Sequence, residues 1–132
     1  MPNYDASTNN KSKRATRIYK DIDLDFGRNT VTNDINKLSD VEAVKRSVRN
    51  LINTNHYERP FHPEIGSGIT SLLFEPLDPI TANSLSRVIG EVITNFEPRA
   101  QVVSIDARPN PETNSYEVTI NFRVIGCTSI IV

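Results

Sequence analysis

Four carboxylates, Glu58, Glu64, Glu75 and Glu97, are the first residues to weigh for chemistry. Glycoside cleavage needs two carboxyl groups about 5–9 Å apart, one of them with a raised pKa. Each of these four lies beside proline or arginine: Glu58-Arg59-Pro60, Pro63-Glu64, Glu75-Pro76 and Glu97-Pro98-Arg99. Cations lower a carboxyl pKa and apolar surroundings raise it, so the pattern favours turn capping and guanidinium pairing over acid catalysis. His56 and His62, each two residues before a glutamate, make a short pseudo-repeat that suggests a metal or deaminase fragment. A deaminase site also needs a Pro-Cys-x-x-Cys element, and the sole cysteine, Cys127, sits far downstream among strand-forming residues. Helical His-x-x-x-His spacing is absent as well, so loop histidines packed against proline are expected. Gly66-Ser67-Gly68 lacks the outer glycines of a nucleophile elbow and the Gly-Lys-Ser/Thr of a phosphate loop, which leaves a tight turn. The expectation is a protein without catalytic residues, metal ligands or cofactor.

The elements around these residues must fit one small domain. The chain has 132 residues, 37% of them apolar, enough for a single core. One cysteine excludes an intrachain disulfide and a zinc site built on several thiolates. No apolar run reaches the roughly 18 residues of a membrane span, and residues 1–17 are polar throughout, unlike a secretory signal. A soluble protein that meets its partners in a cytoplasm is expected, with no membrane insertion. Charge is balanced in total, 15 Lys and Arg against 16 Asp and Glu, but not along the chain. Residues 1–20 carry five cations and one acid, 5 − 1 = +4, so residues 21–132 carry 10 − 15 = −5. Residues 1–17, rich in Asn, Ser, Thr and Lys, are expected to form a disordered basic arm on a domain spanning 18–132. An acidic body behind a basic cluster with few aromatics repels phosphate, so nucleic acid is not an expected partner.

Apolar residues Ile18, Ile22, Leu24 and Phe26 at even spacing, with Asp21, Asp23 and Asp25 between them, predict a half-buried N-terminal strand or extended entry segment. Ser39 and Glu42 have the spacing of a capping box ahead of a helix whose apolar face is Val41, Val44, Val48, Leu51 and Ile52. Residues 56–78, punctuated by Pro60, Pro63, Gly66, Gly68 and Pro76, predict a structured loop with one helical turn near 70–74. Asp78 and Pro79 then start a second helix with a broad face of Leu85, Val88, Ile89, Val92, Ile93 and Phe96, which Pro98 stops. Val103, Ile105 and Ala107 alternate into a turn at 109–114, and Tyr116, Val118, Ile120, Phe122 and Val124 alternate on its far side. Two strands alone are marginal in water, so the helices must cover them. The predicted fold is α+β: two amphipathic helices on a small, mainly antiparallel sheet made of the hairpin and the N-terminal strand. A C-terminal strand is left open. Residues 126–132 carry no charge and end Ser129-Ile130-Ile131-Val132, a β-prone segment that either buries in its own sheet or pairs with a partner's strand.

One ordered set of motifs carries a resemblance. Asp21-Ile22-Asp23, Asn33-Asp34-Ile35, the helix through 44–51, Glu58-Arg59-Pro60-Phe61, Pro63-Glu64-x-Gly66-x-Gly68, Leu73-Phe74-Glu75-Pro76 and Glu97-Pro98-Arg99 occur in that order across residues 19–124. The set resembles the small baseplate wedge protein family of contractile-tailed bacteriophages, which extends to baseplate subunits of type VI secretion systems. The resemblance implies a structural virion protein, assembled in the host cytoplasm, at the sheath-facing rim of a sixfold tail baseplate. It implies as partners the tail sheath protein, the central wedge proteins and hub or tube-proximal proteins. It further implies that Glu97, Pro98 and Arg99 hold the subunit to the central wedge. The wedge protein is similar to the strand-accepting domain of sheath subunits, which implies sheath initiation by β-augmentation through residues 129–132. An internal bridge, to Arg59 and Glu58 for example, is the plain alternative for Glu97 and Arg99. Two positions depart from the family pattern: Asn33 stands where glycine is usual before Asp-Ile, and Tyr57 replaces the glycine before Glu-Arg-Pro. Two other function classes compete with the structural one. The first is a lysozyme-like peptidoglycan hydrolase using Glu64 or Glu75, and the second is an anti-adaptor-type regulatory binding module of similar fold.

Overall fold

The computed structural model describes residues 19–126, in the order β1 (Lys20–Ile22), β2 (Lys37–Ser39), α1 (Asp40–Asn53), α2 (Ile69–Leu72), α3 (Pro79–Phe96), β3 (Ala100–Asn110) and β4 (Ser115–Val124). The basic arm, Cys127 and the uncharged C-terminal segment 127–132 lie outside the described residues. The longest helix starts as its local chemistry dictates. Asp78 accepts a hydrogen bond from Thr81 N–H at 2.7 Å, and Pro79 occupies the first turn, where it has no intrahelical donor to lose. Leu85, Ile89, Val92 and Ile93 fall on the buried face, and the helix ends at Phe96, two residues before Pro98.

That face lies on a two-stranded antiparallel sheet in which Ala100 pairs with Val124 and Asn110 with Ser115. Ala100, Phe122 and Val124 join Leu85, Ile89, Ile93, Val44 and Val48 in one core. Each fully buried aliphatic side chain of this kind stabilises the fold by about 1.5–3 kcal/mol. The alternation predicted for β3 slips once. Val102 pairs with Phe122 and Ser104 with Asn121, so Val103 is a bulge residue, 55% exposed, and not the inward side chain that its spacing indicated. Beyond the bulge Ile105 and Ala107 return to the core side. Pro109 belongs to the strand, paired with Tyr116, so the turn is shorter than predicted and closes at Asn114 with φ +48°.

The α+β class holds, with one difference in strand pairing. The N-terminal strand was expected beside the long hairpin; it instead pairs with β2 in a second two-stranded sheet, Lys20 opposite Ser39 and Ile22 opposite Lys37. It is also shorter than the alternation implied. Asp23 O accepts Phe26 N–H in a turn, and Arg46 of α1 binds Asp23 at 2.8 Å and also Asp25, bending the run so that Leu24 and Phe26 stay exposed. The capping box does not form either. Ser39 is committed to the strand, and the chain turns into α1 through Asp40 at φ +52°, whose N–H donates to Tyr19 O. Glu42 instead pairs with Lys45 at 3.0 Å.

Candidate functional site

The Glu97-Pro98-Arg99 segment forms the corner between α3 and β3. Pro98 prevents the helix from continuing, and Ala100 N–H donates back to Glu97 O at 3.0 Å. Arg99 Nε and Nη2 donate to the two Glu97 oxygens at 2.6 and 2.7 Å, a bidentate pair within the segment. Ser47 of α1 donates its hydroxyl to the same carboxylate. Glu97 is 3% exposed, and the Arg99 side chain is 30% exposed. Burial pushes the Glu97 carboxyl up, yet the Arg99 hydrogen bonds and the Ser47 hydroxyl outweigh it and hold the group below the usual carboxylate range. Arg99 in turn is held further toward its charged form by the Glu97 hydrogen bonds. Its guanidinium lies 5.4 Å from the Tyr19 ring centroid, and Tyr19 Oη donates to Ile125 O at 2.8 Å. One corner therefore ties together α1, α3, Tyr19 just ahead of β1 and the ends of both long strands. The bridge considered between this motif and Glu58 or Arg59 is replaced by the pair that Glu97 and Arg99 form with each other.

The loop after α1 is built on a closed neck. Asn55 and Ser67 form an isolated parallel bridge, Ser67 N–H donates to Thr54 O at 2.7 Å, and Ser67 Oγ donates to Ile52 O at 2.6 Å. Gly66 is required here, because a Cβ on it would meet the Asn55 carbonyl at 2.7 Å. Glu58 accepts from the Asn55 N–H and from its side-chain amide, both at 2.9 Å, and these donors lower its pKa. Glu64 is lowered by its own backbone N–H and by His62, whose Nδ1 lies 3.2 Å from it. His62 thus meets a carboxylate where packing against proline was expected. Arg59, Pro60, Phe61, Pro63, Phe74, Glu75 and Pro76 are exposed, while Gly68 is half-buried at the start of α2. Asn33 and Tyr57 both stand at positive φ, +54° and +70°.

The third surface is the long hairpin. Among the described residues β3 and β4 pair only with each other, so each leaves an outer edge. A groove of about 610 Å³ runs between α1 and β4, floored by Val48, Ile52, Val118, Ile120 and Phe122 and closed on one side by Leu38 of β2. The described residues contain no group of three or more His, Cys, Asp or Glu able to hold a metal. No helix among them is long and apolar enough to cross a membrane. Reading the sequence missed Ser47 and Tyr19 as partners of the corner, since they stand 50 and 80 positions away from it and carry no local signal.

Comparison with known proteins gives a consistent result. A family profile described as baseplate wedge protein gp25 matches residues 38–127. Baseplate wedge protein gp25 of Enterobacteria phage T4 is 30% identical over 109 residues, which cover 83% of this chain and 82% of that protein. A chain in the cryo-EM structure of the anti-feeding prophage baseplate superposes with a TM-score of 0.73 at 21% identity, over 83% of this chain and 88% of that one. The crystal structure of a putative tail lysozyme from Geobacter sulfurreducens superposes with a TM-score of 0.58 at 23% identity, over 68% and 85%. At these identities the two structures speak for the fold.

Proposed function

The chain belongs to the baseplate wedge protein gp25 family of contractile tail systems, and from that premise we propose that it starts tail sheath assembly by pairing strands with sheath protein. It is a structural baseplate component working among other baseplate proteins. The observation that carries the proposal is the β3–β4 hairpin, whose outer edges lack a partner among the described residues, beside a groove with an apolar floor and a charged rim. Such an edge supplies backbone hydrogen bonds for affinity, and the alternating side chains of β4 supply register. Ser129, Ile130, Ile131 and Val132 extend the same chemistry as a strand to be donated. Deleting residues 129–132 should leave a folded protein that enters baseplates but does not start sheath. Sheath of normal length on those baseplates would refute the proposal.

The Glu97-Pro98-Arg99 corner is the surface we assign to the central wedge components. Its buried carboxylate fixes the geometry, and exposed Pro98 with the outer part of Arg99 is what a neighbour can touch. The reading is non-enzymatic: Glu58 and Glu64 are held below the ordinary carboxylate range and Glu97 is paired, the opposite of what a general acid requires. Peptidoglycan hydrolysis by the purified monomer, abolished by Glu64→Gln or Glu75→Gln, would overturn it.

A further inference from the structure

The loop between α1 and α2 combines a buried neck with a bare head. Ser67, at the neck, is 1% exposed and hydrogen-bonded through both its N–H and its hydroxyl. The head is closed by Tyr57 N–H donating to Pro63 O at 3.0 Å, so residues 57–63 form one compact turn. Within it Tyr57 is 85% and Phe61 96% exposed. Both have φ +70°, a region that bulky L-residues populate sparsely. The fold therefore holds two aromatic residues in an unfavourable backbone conformation and leaves their rings in water. Neither ring repays that cost by packing against the described residues. Rigid, exposed aromatics on a pinned loop are what interface anchors look like before a partner arrives.

We propose that this head is a plug, with Tyr57 and Phe61 inserting into an apolar cleft rimmed by Lys or Arg on a neighbouring, different subunit of the baseplate wedge. The charge on the head sets the sign of the rim. Residues 56–64 carry Glu58 and Glu64 against Arg59, 1 − 2 = −1, and both carboxylates are oriented by donors from the loop itself. Two other occupants fit less well. The chain's own arm, residues 1–17, brings cations but only Met1 and Tyr4 as large side chains with apolar surface, so it offers charge without a cleft. A second copy could offer its α1–β4 groove, but Asp23, Asp25 and Glu42 line that groove and would meet the acidic head with like charge.

The proposal rests on membership of the family and not on strand pairing, so it is tested in wedges assembled from co-expressed baseplate proteins without sheath. In a Cys127→Ser background, Phe61→Cys and Tyr57→Cys are reacted with a maleimide, with Thr113→Cys at the hairpin turn as an exposed reference. In the free protein all three should label rapidly. In assembled wedges positions 57 and 61 should label at least tenfold more slowly while position 113 is unchanged, and a bifunctional maleimide at position 61 should join a different wedge subunit. A Phe61→Cys chain that folds but no longer enters the wedge, with Phe61→Leu restoring entry, supports the same conclusion. Undiminished labelling at both positions in assembled wedges overturns the proposal, as does cross-linking to a second copy of this chain.

Discussion

Glu97 is a buried carboxylate whose charge depends on one arginine and one serine. Removing the arginine leaves an unpaired charge in the interior, so Arg99→Ala is expected to cost about 3 kcal/mol, read as a fall in the denaturation midpoint. Arg99→Lys should recover only part of this, because an ammonium cannot reproduce the two-pronged contact with both Glu97 oxygens. Baseplate entry must therefore be measured on the folded fraction of either variant. The same pair sets a pH response. The folded-state pKa of Glu97 lies below its unfolded value of 4.5, so its contribution is fully present above pH 4.5 and is lost as pH falls through the lower folded value. Thermal melts at decreasing pH should show this loss in the native chain and much less of it in Glu97→Gln. Pro98 as a helix stop was legible from residue type alone. That Glu97 would face Ser47 was not, because only the packing of α1 against α3 brings them together.

Among the elements, α3 was the most legible, since its cap, its first-turn proline, its apolar face and its stop all act within a few residues of one another. β3 was legible in kind but not in phase. A bulge depends on the partner strand, and the alternation of Val103, Ile105 and Ala107 gave no sign that Val103 would face outward. Val103→Thr should consequently change stability by less than about 0.5 kcal/mol, whereas Ile105→Ala should cost about 2 kcal/mol in the same chemical denaturation assay. The loop neck gives a third expectation at this scale. Gly66→Ala forces a Cβ against the Asn55 carbonyl, and should cost about 2 kcal/mol while raising hydrogen exchange across residues 54–67 before the rest of the molecule. The capping box failed for a reason local pattern does not contain: Ser39 was already engaged as a strand residue opposite Lys20.

At the scale of the whole molecule, a basic N-terminal segment precedes an acidic domain, and the two are expected to meet different neighbours in one assembly. Deleting residues 1–17 should leave the melting temperature of the domain unchanged while making its association with baseplate proteins less sensitive to salt, measured as the slope of affinity against ionic strength. An unchanged salt slope would show that the arm contributes nothing to docking. The order of the helices and of β1, β3 and β4, the break at Pro98, the tight loop around Gly66 and the family itself could be read from the sequence, because each rests on residue types at short spacing, whereas β2 could not. Tertiary structure decided that β1 pairs with β2, that Glu97 is buried against Ser47 and Arg99, that Val103 leaves the core face, and that Tyr57 and Phe61 stand exposed at positive φ. Those outcomes depend on contacts between residues distant in the chain, whose energies exist only once the helices and the hairpin have closed on a common core.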